Sequence, residues 1–191
     1  MTAEGKKTDF LKDIRSIRNY KNTPIDKTIL EDLVDAGRMA PTARNVQPWE
    51  FVVITDKEIL KELSKVHVNG EFVKDAAAAI MVLCHRNTEY YVEDGSAATQ
   101  NIIVAARLYD LKSCWIGGCK GPFHENDDVA MCEGVPCKLP PMYDDLCSQL
   151  KQIVNAPMDL EVISIVSLGY SDEQFTAPKR DLNEVLHWDR Y

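Results

Sequence analysis

Long apolar runs are missing from this chain of 191 residues. None approaches the roughly 18–20 residues needed to cross a bilayer. The longest, "AAAAIMVLC" from Ala76 to Cys84, has the length of a buried strand. Positive charge is also short: 30 Asp and Glu against 22 Lys and Arg leave a formal net charge of −8. So few cations exclude the basic surfaces that bind nucleic acid or anionic membranes. The segment "MTAEGKKTDFLKDIRSIR" has lysines but no apolar h-region and no small-residue cleavage site, so the cytoplasm is the expected compartment.

The usual catalytic signatures are absent as well. There is no G-x-G-x-x-G after a strand, no Walker loop, no G-x-S-x-G elbow and no H-E-x-x-H. His67, His85, His124 and His187 are scattered, without metal-ligand spacing. The six cysteines, Cys84, Cys114, Cys119, Cys132, Cys137 and Cys147, are expected to be thiols in a reducing compartment. Cys114-x4-Cys119 and Cys132-x4-Cys137 are similarly spaced pairs, but looser than the C-x-x-C of a tight zinc knuckle, and no metal is expected. No repeat, low-complexity tract or linker divides the chain. With 45% hydrophobic residues it has enough material for one domain with a sizeable core.

What is present is an alternation of helix and strand patterns. "DFLKDIRSI" places Phe10, Ile14 and Ile17 on one helical face, and "DKTILEDLVDAGRMA" opens with Asp26 as N-cap and aligns Ile29, Leu33 and Ala36. The strand "FVVIT", the helix "DKEILKELSKV" and the strand from Ala76 to Cys84 follow. Next come a buried helix over about 94–109 and the short strand "SCWIGG". Residues 119–142 have no periodicity and read as a loop or cap. "DDLCSQLKQIV" returns to helical spacing and "LEVISIVSLGY" is a strand, so a layered domain of helices and sheet is predicted.

Three polar segments interrupt this order. Arg15, Ser16 and Arg18 cluster in "IRSIR", and Lys179 and Arg180 stand together near the other end. Guanidinium forks beside a hydroxyl suit a phosphate dianion. A solvated basic helix face explains the same residues taken alone. In "APTARNVQPWEFVVI" four hydrogen-bonding side chains sit between two prolines immediately before an apolar strand.

Four segments, in order and spread over nearly the whole chain, resemble the nitroreductase family of FMN-dependent oxidoreductases. "IRSIRNY" is similar to the family's R-R-S-x-R-x-[FY] element, and "APTARNVQPWEFVVI" to its A-P-S-x-x-N-x-Q-P-W-x-F-x-V-[IV] segment. "DGSAATQNIIVAARLYDLKSCWIGG" resembles its long helix and strand-turn, and "SLGYSDEQFTAPKRDLNEVL" its G-Y-P…K-R-x-x-[LV] element. Two positions depart from the pattern: Ile14 stands where the family often has the first of two arginines, and Ser171 where it has proline.

The resemblance implies an α+β, three-layer α/β/α fold with a central mixed sheet. It also implies a homodimer that exchanges an extended C-terminal segment, with an FMN at each end of the interface. Residues 1–191 would form a single FMN-binding domain, about 119–142 being a lid-like insertion and 171–191 the C-terminal arm. By motif position, Arg15 and Ser16 would lie at the FMN phosphate, with Lys179 and Arg180 from the other end of the chain. Arg18 would lie nearer the pyrimidine edge, where a cation stabilises charge building at N1 and O2 on reduction.

Pro41, Thr42 and Ala43 would reach the flavin from the other subunit. Asn45 and Gln47 either bond its edge or ribityl chain or hold the loop; Thr42 is the first choice for a contact and Arg44 the last. Trp115, Ile116, Gly117 and Gly118 would pass the opposite edge, a backbone N–H (that of Gly117 first) donating to N5. Glycine suits that place because no Cβ keeps a ring away. Trp49 reads as core. No side-chain general acid is evident, so no catalytic residue is named. The implied activity is ping-pong hydride transfer from NADH or NADPH through FMN to an electron-poor small molecule such as a nitroaromatic, a quinone or another flavin. Reductive dehalogenation and flavin fragmentation are alternatives within the family. A non-catalytic flavin- or metal-binding redox protein is the alternative outside it.

Overall fold

The computed structural model describes residues 7–66, 70–86, 88–118, 131–132, 135–136 and 143–191. Its helices are α1 (Asp9–Lys12), α2 (Lys27–Arg38), α3 (Lys57–Val66), α4 (Tyr91–Leu108), α5 (Tyr143–Ile153) and α6 (Leu182–Val185). Its strands are β1 (Trp49–Ile54), β2 (Ala78–His85), β3 (Lys112–Gly117), β4 (Met131–Cys132), β5 (Val135–Pro136) and β6 (Leu160–Gly169). Four strands form the main sheet in the order β1-β2-β6-β3, every neighbour antiparallel, while β4 and β5 pair with each other. The parallel component of the sheet is an isolated bridge from Ser16 to Ser113.

Central strands without polar alternation are buried on both faces, and β2 shows why "AAAAIMVLC" is continuously apolar. Ile80, Val82 and Cys84 join the core beneath α2 and α4, whereas Ala79, Met81 and Leu83 join the core beneath α3 and α5. The period-two alternation of a strand therefore feeds two helix layers, and the three-layer α/β/α arrangement follows. A register shift between Val82 and Leu83 interrupts the pairing of β2 with β6. It places Ile163 on the α4 side although Val162 and Ile165 face α3 and α5.

Helix α2 begins as its sequence dictates. The Asp26 carboxylate accepts the Thr28 N–H at 2.8 Å and the Thr28 hydroxyl at 2.7 Å. Leu30 and Leu33 are buried, with Ile29 and Ala36 half-buried beside them. Trp49 lies in the same core, as expected.

The N-terminal helix departs from expectation. It ends at Lys12, and the chain then runs extended along β3: Ser16 bridges Ser113, and the Ile17 N–H donates to Ser113 O at 3.0 Å. The edge of β3 offers backbone partners, and burial of Ile17 and Tyr20 outweighs the helical spacing of Phe10, Ile14 and Ile17. The Tyr20 hydroxyl closes this junction by donating to Ile17 O at 2.7 Å, and lies 2.8 Å from Ser167 Oγ. The cysteines depart too. Cys84 and Cys114 are buried thiols, but Cys147 is disulfide-bonded. Most of the expected cap at 119–142, with Cys119 and Cys137, lies outside the described residues. No helix among the described residues is long and apolar enough to cross a membrane.

Candidate functional site

The segment after α1 brings cations to one end of β3. Arg15 donates through Nη1 to Lys12 O at 2.5 Å and Ile14 O at 2.8 Å, which leaves its Nε buried without a partner. It faces a cavity of about 290 Å³ whose walls also carry Lys12, Arg107, Lys112, Asp13 and Glu173. Arg107 reaches Asp110 at 3.1 Å, but its Nε is likewise buried and unpartnered. Two buried guanidinium N–H groups with no partner among the described residues, both on residues lining one cavity, suit an anion, since buried donors without acceptors are costly.

Arg18 points elsewhere. Its guanidinium lies 5.6 Å from the centre of the Phe72 ring, and the Arg18 and Asn19 amides converge on the Glu173 carboxylate, Asn19 at 3.0 Å. Arg18 and Ser16 also sit close to Cys114. Burial pushes that thiol's pKa up, while the Arg18 charge and a hydrogen bond with Ser16 pull it down.

The opposite end of β3 is shaped by two glycines with different demands. A Cβ on Gly118 would lie 1.9 Å from Val162 O, and the Gly118 N–H donates to Ile163 O at 2.9 Å, so only glycine lets the strand end close against β6. Among the described residues, a Cβ on Gly117 would meet nothing within 4 Å. Ile116 is buried in the core, so only its backbone can face a ligand, whereas Trp115 is partly exposed.

The loop from Pro41 to Gln47 is a strained turn. Arg44, Asn45 and Gln47 have positive φ values of 54°, 56° and 52°. Each left-handed non-glycine residue costs about 1–2 kcal/mol. Thr42 holds the turn: its Oγ1 accepts the Gln47 N–H at 3.1 Å and donates to Ala43 O at 3.3 Å. The Ala43 N–H leaves the turn and donates to Asp94 Oδ1 at 3.2 Å. Asn45 and Gln47 are exposed, and the Gln47 side-chain amide donates to Asn45 O at 3.5 Å.

Lys179 and Arg180 do not join Arg15 within this chain. Arg180 is tied to Glu184 at 3.3 Å, and the arm residues lining the cavity are Glu173, Gln174, Phe175 and Thr176. Sequence reasoning missed Asp94, Arg107 and Lys112. Asp94 in the first turn of α4 and Arg107 in its last are ordinary helix-dipole choices, and Lys112 opens a strand, so no motif distinguishes them.

Comparison with known proteins accounts for the frame. The Nitroreductase family model matches residues 11–94. An Archaeoglobus fulgidus protein provisionally named an NADH dehydrogenase/NAD(P)H nitroreductase is 32% identical over 187 residues, covering 93% of this chain and 94% of that protein. The solved structure of an FMN-dependent nitroreductase from Clostridium difficile superposes with a TM-score of 0.78 at 29% identity, covering 95% of this chain and 98% of that one. A nitroreductase-fold structure from Desulfovibrio desulfuricans, solved with FMN, has a TM-score of 0.76 at 21% identity, over 98% of this chain and 99% of that one. With its three layers, its glycine-ended strand and a relative at 32% identity along nearly its full length, the chain belongs to the nitroreductase family.

Proposed function

We propose that this protein is an FMN-dependent oxidoreductase that takes hydride from NADH or NADPH and passes it to an electron-poor small molecule, working as a homodimer. The observation that carries the reading is Gly117. Among the described residues nothing stands where its Cβ would project, unlike at the neighbouring Gly118, so that strand end can take a ligand close against its backbone. A flat ring laid against the strand end is such a ligand.

The residues present fit FMN. The cavity at Arg15 and Arg107 has orphaned donors for a phosphate, and at the other end of β3 no described atom lies within 4 Å of where a Gly117 Cβ would stand. Six residues of strand separate the two by about 17 Å, which suits an elongated ligand with one charged end. Arg15 holds the phosphate, joined by Lys179 and Arg180 of an arm, whereas Ser16, which does not line that cavity, bonds Cys114 beside Arg18, which supplies a cation toward the pyrimidine edge. Bound FMN supplies a ring that takes a hydride from the nicotinamide and yields it to the acceptor. The Thr42–Gln47 turn lines the ring of the neighbouring subunit, with Asn45 and Gln47 as its exposed polar groups.

The arm supports the dimer. Phe175, Leu182, Val185, Leu186, Trp188 and Tyr191 are exposed apolar side chains on one segment, a row that a second copy would cover. The test is an absorbance spectrum of the purified protein, followed by anaerobic titration with NADH and NADPH. A flavin spectrum bleached by either donor is expected. A colourless protein that carries zinc or iron and takes up no FMN overturns the proposal.

A further inference from the structure

We infer that Asp94 is a positioning residue, the clamp that fixes the Thr42–Gln47 turn in its flavin-lining shape; this rests on the FMN reading above. Asp94 lies in the first turn of α4 and is 5% exposed. One carboxylate oxygen accepts the Ala43 N–H at 3.2 Å, and the other is buried with no partner.

A buried carboxylate with an unpaired oxygen is a poor stability device, even with the α4 amides nearby to offset its charge. Its use lies in what it holds. The turn contains three left-handed residues, and its other hydrogen bonds among the described residues, Asn45 N–H to Thr42 O, Val46 N–H to Ala43 O, Gln47 N–H to Thr42 Oγ1, Thr42 Oγ1 to Ala43 O and Gln47 Nε2 to Asn45 O, are all internal. Packing behind the turn is loose: a cavity of about 190 Å³ lies among Ala43, Arg44, Val46, Thr88, Glu89 and Tyr90. Among the described residues, the Asp94 hydrogen bond is therefore what ties the strained turn to α4. That helix is fixed to the sheet where the glycine end of β3 lies, because the Thr99 and Ser164 hydroxyls share a 2.7 Å hydrogen bond and Ser164 pairs with Gly117.

The clamp is read by trypsin cleavage after the exposed Arg44, in FMN-free protein, and by FMN titration. In Asp94→Ala, cleavage after Arg44 should quicken about tenfold or more and FMN affinity fall by a similar factor, as expected for losing one hydrogen bond to a charged group. Other tryptic sites should keep their wild-type rates. Asp94→Asn retains a carbonyl acceptor for Ala43 and should return both quantities to within about threefold of wild type, a rescue that a bare volume effect would not give. Amide exchange on the unmutated protein serves if Asp94→Ala does not fold: the Ala43 amide should be protected despite its place on an exposed turn. Wild-type cleavage and FMN affinity in folded Asp94→Ala, or an Ala43 amide exchanging at the free-peptide rate, overturns the clamp alone. A wild-type protein that takes up no FMN overturns the FMN reading, and with it the purpose assigned to the clamp.

Discussion

At the scale of single residues, neighbours of one type carry different burdens. Gly118 is required by its own fold, since a Cβ there meets Val162 O at 1.9 Å. Gly118→Ala should therefore destabilise the protein by about 1–3 kcal/mol through overpacking, seen as a lower urea midpoint. Gly117→Ala meets no described atom within 4 Å and should leave that midpoint within about 0.5 kcal/mol of wild type while weakening FMN binding. Equal losses of stability in both variants would count against a ligand at Gly117. Cys84 makes a second residue-scale case. Burial, with the Asp94 charge adding to it, pushes its thiol up to about 12. The folded state thus keeps a proton that the unfolded chain releases near pH 8.5. The stability this contributes is complete below about pH 8.5 and is lost as pH rises toward 12. Unfolding midpoints should fall between pH 8 and pH 10.5, and the fall should be shallower in Cys84→Ala. It should not vanish, because burial displaces Cys114 and Tyr20 in the same direction.

At the scale of elements, the sequence was legible wherever local chemistry and tertiary demand agreed. Helix α2 is one such case: cap, apolar face and length all follow from "DKTILEDLVDAGRMA", and Asp26→Ala should cost about 1 kcal/mol, measured by urea unfolding with an unchanged slope. Strands β2 and β6 were legible because a strand buried on both faces has no polar alternation to confuse with anything else. The N-terminal segment was not. Phe10, Ile14 and Ile17 are spaced for a helix, yet the open edge of β3 competes for the backbone from Ser16 onward and wins. Nothing local to residues 9–17 reveals that edge, which is formed about 100 residues away. The Thr42–Gln47 turn was half legible. Its residue types suggested a ligand loop, but not that the Thr42 hydroxyl also holds the turn by accepting the Gln47 N–H. Its tether, Asp94, is 51 residues distant and belongs to no motif.

At the scale of the whole molecule, a folded body ends in a segment that its own chain leaves uncovered. The arm is fastened at its root: the Asp172 carboxylate meets Lys21 at 2.6 Å, and Glu173 accepts the amide of Asn19 at 3.0 Å. Beyond Thr176 the attachment fails. Leu182 is 68% exposed, Trp188 80% and Tyr191 fully so, and α6 buries no residue. Large side chains left in water cost free energy that a second copy would recover, at roughly 25 cal/mol for each Å² covered. The same exchange would deliver Lys179 and Arg180, which cannot be placed at the Arg15 cavity by the path their own chain takes. A chain ending after Thr176 keeps the root contacts and the cavity wall but loses the apolar row from Leu182 onward and both cations. It should retain the wild-type far-ultraviolet circular dichroism of the core, sediment as a monomer and bind FMN at least about tenfold more weakly, as expected for removing charge-assisted phosphate contacts. A truncated chain that sediments as a dimer with undiminished FMN affinity would rule out the exchanged arm, and would require the phosphate to be held by Arg15, Arg107 and Lys112 of a single chain.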